Sequence, residues 1–193
     1  MKLFRSLLIF LASSLIMFAC APTQANIIKK PEPHATVIVT AVATKTPDWF
    51  DMTLTDVQTG KTFTMNDYAG KVVLLETMAI WCPNCLLQSG QVQKLHQTLG
   101  NPKDLISVTL DVDSNEDEAM LKKYVDEWGL NWHFAVAPLL VERALGNLYN
   151  AEYLNPPLSP MLIIDRKGNV HQLEYGLKEV ATLKKIVEPY LAK

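Results

Sequence analysis

Apolar positions along the chain change period several times, and these changes divide it into elements. Residues 72–79 are nearly all apolar, which predicts a strand covered on both faces. Leu87, Val92, Leu95 and Leu99 follow at near-helical spacing and predict a helix from Pro83 to Leu99, stopped by Gly100-Asn101-Pro102. Leu105 to Val112 reads as a second strand. Asp113-Ser114-Asn115-Glu116-Asp117-Glu118 then supplies helix caps and first-turn acids. Leu121, Tyr124, Val125 and Trp128 mark the inner stripe of the next helix, ended by Gly129. Trp132 to Val136 predicts a short strand, and Leu140, Ala144, Leu145 and Leu148 a helix after Pro138. The proline-rich run 155–160 forces an extended, turn-rich loop. Met161 to Ile164 is a strand, 165–169 a hairpin turn, and Val170 to Tyr175 the return. Val180, Leu183, Val187 and Leu191 mark a terminal helix.

Upstream, Met52 and Leu54 alternate with polar residues, a turn around Gly60 intervenes, and Phe63 and Met65 resume the alternation. Phe50 to Met65 is therefore a β-hairpin. Strands alternating with helices give an α/β fold: a mixed central sheet, helices on both faces, and this added N-terminal hairpin.

The first 47 residues have another character. Lys2 and Arg5 precede an uncharged run from Ser6 to Ala19 that is short for a spanning helix and suits a signal-peptide core. It ends in Met17-Phe18-Ala19-Cys20, similar to a bacterial lipobox, which makes Cys20 the lipidation site. Cleavage after Ala25 to release a soluble protein, or retention as an uncleaved anchor, are the competing readings. All three place the domain outside the cytoplasm. Residues 1–20 are thus a signal peptide, 21–47 a tether rich in proline, and 48–193 the folded domain. The β-prone segment 36–44 is a candidate extra edge strand. The net charge of −2 and the dispersed basic residues exclude a nucleic-acid surface.

The chemistry concentrates where the buried strand meets the first long helix, at Trp81-Cys82-Pro83-Asn84-Cys85. Two cysteines at this spacing point to a redox dithiol. A cysteine at a helix start faces unpaired N–H groups and the positive end of the helix dipole, both of which favour thiolate. Pro83 suits the first helical position. Cys85 lies one turn on, within reach of a small disulfide ring. Structural zinc would need a second ligand pair, and the four histidines are scattered. Of three cysteines, lipidation of Cys20 leaves only the pair.

These residues resemble the thioredoxin superfamily, and most closely its extracytoplasmic TlpA-like thiol–disulfide oxidoreductases. The resemblance covers about Asp48 to Leu191. It is carried by Trp81 to Cys85, by Gly70-Lys71-Val72-Val73-Leu74, and by Ser159-Pro160-Met161-Leu162-Ile163-Ile164-Asp165 with Gly168. It implies a thioredoxin-like fold with Cys82 as exposed nucleophile and Cys85 as resolving thiol. Glu76, six residues before Cys82, would be a buried acid that takes the proton from Cys85, unless that strand position faces solvent. Pro160 would be a cis-proline that exposes the backbone of Ser159 to an extended substrate, unless it is an ordinary trans proline opening the strand. Trp81 would be a lid over the dithiol, and Trp81, Pro83, Ser159 and Pro160 would contact substrate. Gly90 replaces the usual helix proline, and Leu86 the charged residue that often follows the second cysteine. The apolar rim suggests a protein partner or an apolar peptide.

The implied protein is a membrane-tethered monomer exchanging disulfides with extracytoplasmic proteins, with an upstream membrane electron donor. It needs no cofactor beyond the Cys82–Cys85 disulfide, and no metal. The alternative is a copper-binding and copper-delivery protein of Sco type, with soft thiolates for Cu(I) and His171 as third ligand. A peroxidase on the same fold lacks the expected threonine, since that position is Ala79.

Overall fold

Seven consecutive buried residues, Val72–Met78, form the central strand β3. It is continuously apolar apart from Glu76 and Thr77 because both its faces are covered. The computed structural model describes residues 46–192, all within one compact unit. The leader, Cys20, most of the tether and the β-prone segment 36–44 lie outside the described residues.

A 3₁₀ turn at Asp48–Asp51 buries Trp49 and Phe50. The hairpin pairs β1 (Leu54–Thr55) with β2 (Thr62–Phe63) as a separate two-stranded sheet, and its strands are shorter than the alternation suggests. Val57 N–H donates to Phe134 O at 2.9 Å and ties the hairpin to the main domain. The main sheet runs β5-β4-β3-β6-β7, with β4 at Leu105–Asp111, β5 at His133–Val136, β6 at Met161–Ile164 and β7 at Val170–Gln172. β3, β4 and β5 are parallel, while β6 and β7 are antiparallel to their neighbours, so the sheet is mixed.

Helix α1 (Pro83–Thr98) links β3 to β4, α2 (Glu118–Trp128) links β4 to β5, α3 (Leu139–Leu148) precedes β6, and α4 (Val180–Leu191) closes the domain. Alternation along β3 divides the core. Val72, Leu74 and Met78 pack with Val92 and Leu95 of α1, Leu121 and Val125 of α2, and Leu183 and Val187 of α4. Val73 and Leu75 pack with Trp49, Phe50, Tyr153 and, from α3, Val141 and Leu145.

Two stripes differ from the sequence pattern. Trp128 is half exposed because it is the last residue of α2, where Gly129 turns the chain at φ 61°. In α3 the inward residues are Val141 and Leu145, while Leu140 and Leu148 are more than half exposed. Leu140 sits about 100° round the helix from Val141, and Leu148 falls at the helix end.

Candidate active site

β3 delivers the chain to the carboxyl end of the sheet, and the loop 79–82 turns it into α1. Cys82 is the N-cap, and its sulfur accepts the Cys85 backbone N–H at 3.2 Å, satisfying one orphan donor of the first turn. Pro83 occupies the first helical position, and the first turn carries no acid. Cys82 and Cys85 form a disulfide with Cα atoms 5.3 Å apart. Both are buried: Cys82 is 1% exposed, so the expectation of an exposed nucleophile is corrected for the oxidised state. Its sulfur belongs to the apolar cluster of Ala79 and Met78, with partly buried Ile80 and Leu86 packed on it.

The loop before Cys82 is fastened to the β4–α2 connection. Ile80 N–H donates to Glu116 Oε2 at 2.7 Å, and the Trp81 indole N–H donates to Asp113 Oδ2 at 2.6 Å. Trp81 is 58% exposed, so its ring is a surface flap tied to Asp113, not a closed lid. The indole bond and the Asn115 N–H groups hold the Asp113 carboxyl below its usual range, the Asn115 backbone contribution being largest. On the other side, Asn84 Nδ2 donates to Pro157 O at 3.0 Å, and Pro156 O lies 3.4 Å from Cys85 Sγ.

Ser159 and Pro160 form a buried wall near the dithiol, but not in the expected conformation. No cis peptide bond occurs among the described residues, so Ser159–Pro160 is trans. Ser159 takes a left-handed conformation (φ 47°), closing the 3₁₀ turn Pro156–Leu158. This turns its backbone groups inward. Ser159 N–H donates to Pro156 O at 2.8 Å, and its carbonyl accepts Lys178 Nζ at 3.1 Å. The expectation of a free Ser159 backbone is therefore corrected.

Glu76 points to the α1 face of β3, in the alternation of Val72, Leu74 and Met78, and is 1% exposed. The solvent-facing alternative is thereby removed. Neither carboxylate oxygen meets a donor. Burial pushes its pKa up to about 8, and the ammonium of Lys178 pulls in the opposite direction. Lys178, 5% exposed, also donates to Gly176 O at 2.8 Å. Gln88, one turn beyond Cys85, accepts the Lys178 backbone N–H at 2.7 Å and donates to its carbonyl at 3.1 Å.

A disulfide at the mouth of a helix, backed by a buried acid on the adjoining strand, is a family-level arrangement, and comparison with known proteins gives the family. Redoxin matches residues 41–187. The chain belongs to the Redoxin family. It is similar to the thiol-disulfide oxidoreductase ResA of Halalkalibacterium halodurans, 26% identical over 117 residues that make up 61% of each chain. It is also similar to the thioredoxin-like protein YneN of Bacillus subtilis, 24% identical over 117 residues, 61% of this chain and 64% of that one. The chain thus spans less than two thirds of the length of these relatives. Among solved structures it resembles a thioredoxin-family thiol:disulfide interchange protein from Chlorobium tepidum. There the TM-score is 0.61 at 20% identity, covering 77% of this chain and 99% of the other. The fold is thioredoxin-like, as the resemblance implied.

The copper alternative loses its third ligand in this redoxin. His171 on β7 pairs with Ile163 and bonds Asp165 Oδ2 at 3.0 Å, towards the turn end of β6 and away from Glu76. Among the described residues no group of three or more His, Cys, Asp or Glu is placed to hold a metal ion. The acids at 113–118 act largely as loop and cap groups: Asp117 caps α2, and Asp113 holds Asn115. The sequence pattern did not single out Lys178, Gln88, Asp111 or Glu116 as site residues. A lysine followed by an apolar helix stripe reads as surface, and the contacts of Lys178 to Gln88 and of Glu116 to Ile80 span 90 and 36 residues.

Proposed function

We propose that this redoxin is a thiol–disulfide oxidoreductase that exchanges disulfides with other proteins through Cys82 and Cys85. The observation that carries the reading is the disulfide at the start of α1, on the same sheet face as the buried carboxyl of Glu76. In the reducing direction, Cys82 thiolate attacks a partner disulfide, and a partner thiolate leaves. Cys85 gives its proton to Glu76 and its thiolate attacks the Cys82 sulfur. The internal disulfide forms, the second partner thiolate is released, and two electrons have passed to the partner. At pH 7 roughly a tenth of Glu76 is carboxylate, given its value near 8, so its share of base grows as pH rises. Trp81, Pro83, Asn84 and Pro157 form the exposed rim that meets the partner, with Ser159 and Pro160 as the wall beneath.

Lipidation at Cys20 would tether the domain as a monomer on the extracytoplasmic side of a membrane, re-reduced by a membrane electron donor. Among the described residues no helix is long and apolar enough to cross a membrane. Mass spectrometry of the mature N-terminus tests the lipid, and a chain starting at Asn26 or at Met1 overturns it.

Cys82→Ser abolishes exchange, whereas Cys85→Ser accumulates mixed disulfides on non-reducing gels. Equal trapping by both variants would reverse or dissolve the roles. In stopped-flow, Glu76→Gln leaves mixed-disulfide formation unchanged and slows resolution roughly tenfold at neutral pH, at the low end of general-base effects because water substitutes in part. Unchanged resolution across pH 6 to 8 would remove Glu76 from the proton route.

A further inference from the structure

The oxidised dithiol presents a problem of access. Cys82 is 1% exposed, yet a reductant or partner must reach its sulfur. The loop that leads into it, residues 79–82, is short, packs Ile80 on the same apolar cluster, and carries two side contacts to the β4–α2 connection. One, Trp81 to Asp113, is exposed. The other, Ile80 N–H to Glu116, leads into a buried arrangement. Asp111, the last residue of β4, pairs with Met78 across the sheet and is fully buried. Its Oδ1 accepts the Asp113 N–H at 3.0 Å, while its Oδ2 meets no donor and faces the Glu116 carboxyl. Two bare carboxylates cannot settle there without repulsion. A proton on Asp111 turns the contact into a hydrogen bond donated to Glu116, which then holds two donors, Asp111 O–H and Ile80 N–H.

We propose that Glu116 and Asp111 are positioning residues for the dithiol: together they latch the Ile80–Trp81 loop over Cys82, and release of the latch uncovers the Cys82 sulfur.

Burial first, and then the Glu116 and Asp113 carboxyls, raise the Asp111 pKa well above the carboxylate range, against the Asp113 N–H, which lowers it. The sign follows. Asp111 is protonated and the latch closed at neutral pH. Rising pH removes the proton, sets two carboxylates against each other, and frees Ile80. The other titratable groups around the pair are Asp113 on the same loop and Tyr124 on α2, which faces Glu116 on one side and Glu76 of β3, with Lys178 behind it, on the other. Asp111→Asn leaves all of these in place, and its amide donates to Glu116 at every pH.

The inference rests on the proposed role of Cys82 as the attacked sulfur, but it can fail separately from partner exchange. The test reduces the oxidised full chain with dithiothreitol. A reductant thiolate attacks Cys82, the Cys82–Cys85 bond breaks, Cys85 leaves as thiolate, and the second reductant thiol closes its own disulfide and releases Cys82. Comparing wild type with Asp111→Asn at each pH cancels the titration of the reductant. The rate ratio is expected near one at pH 6.5 and several-fold in favour of wild type by pH 9.5. Glu116→Ala should react several-fold faster than wild type at pH 7. Amide hydrogen exchange at Ile80 reads the latch without any thiol chemistry, and should be several-fold faster in Glu116→Ala. A flat ratio across the pH range overturns the titrating latch, and unchanged Ile80 exchange in Glu116→Ala overturns the latch itself. If partner exchange fails while these shifts appear, the proposed activity falls and the latch stands.

Discussion

The two faces of the sheet are closed by similar amounts of apolar side chain but treat buried polar atoms differently. Under the hairpin and α3, polar groups are paired. Thr77 Oγ1 donates to Tyr153 O at 2.7 Å, Tyr153 O–H to Met161 O at 3.2 Å, and Trp49 Nε1 to Tyr149 Oη at 3.2 Å. His133 Nδ1 meets no hydrogen-bond donor or acceptor in good geometry there, but it lies 3.4 Å from Asp56 Oδ2. Under α1, α2 and α4, both Glu76 oxygens, Tyr124 Oη and Ser89 Oγ are buried without a partner, and the Lys178 ammonium is buried with them. Each buried unpaired group costs about 1–3 kcal/mol. A face that carries several of them, grouped around one disulfide, is shaped by chemistry at the expense of stability. The other face carries its apolar core without that cost.

The sharpest way to break this division is to damage the stabilising face alone. Trp49→Ala removes a fully buried ring that meets Phe50 edge-on at a centroid distance of 4.6 Å. Loss of that ring should cost about 4 kcal/mol of unfolding free energy in urea titration. Folded protein should still be reduced by dithiothreitol at the wild-type rate, within about twofold. A large fall in that rate would mean the faces are mechanically coupled.

On the dithiol face, removing a costly group should stabilise. Folding raises the Glu76 pKa from 4.5 to about 8, so the native state binds a proton that the unfolded chain releases. Its contribution is therefore most favourable at low pH and is lost as pH rises from about 4.5 to about 8. Glu76→Gln does not titrate. Its stability relative to wild type should increase by about 3 kcal/mol between pH 5 and pH 8, following a linkage of about 1.4 kcal/mol per unit across a window in which the pull of Lys178 is already included. A relative stability independent of pH would mean that Glu76 titrates as it does in the unfolded chain.

What was legible in the sequence follows the same physics. Element order, the all-buried β3, the start of α1 at Pro83 and the stop of α2 at Gly129 are set by local periodicity and local backbone constraints, and each was found where it was read. So was the dithiol, because a cysteine N-cap, a proline and a second cysteine one turn on lie within four residues. Exposure is less legible. The resemblance implies an open Cys82 with Trp81 closed over it, whereas Cys82 is buried next to an Ile80 bonded to Glu116, and Trp81, bonded to Asp113, is exposed. Those contacts span 36 and 32 residues, and the Lys178 contact to Gln88 spans 90. No periodicity encodes a partner at such separations.

The smallest effects give the finest test of the contrast, because they delete one oxygen from each face. Thr77→Val on the hairpin face keeps the shape and removes the hydroxyl. The Tyr153 carbonyl then loses a donor in a buried setting, which should cost about 1–2 kcal/mol. Ser89→Ala on α1 also removes one hydroxyl from a fully buried position, but that oxygen has no partner to strand. Its deletion relieves an unmet desolvation cost and places the better helix former in a helix interior. The expected change is within about 0.5 kcal/mol, on the stabilising side. Urea titrations of both variants at pH 7, in the oxidised form, make the comparison. Equal losses would mean that Ser89 Oγ is bonded in solution. The dithiol face would then satisfy its polar groups as fully as the other, and the division of labour between the faces would fail.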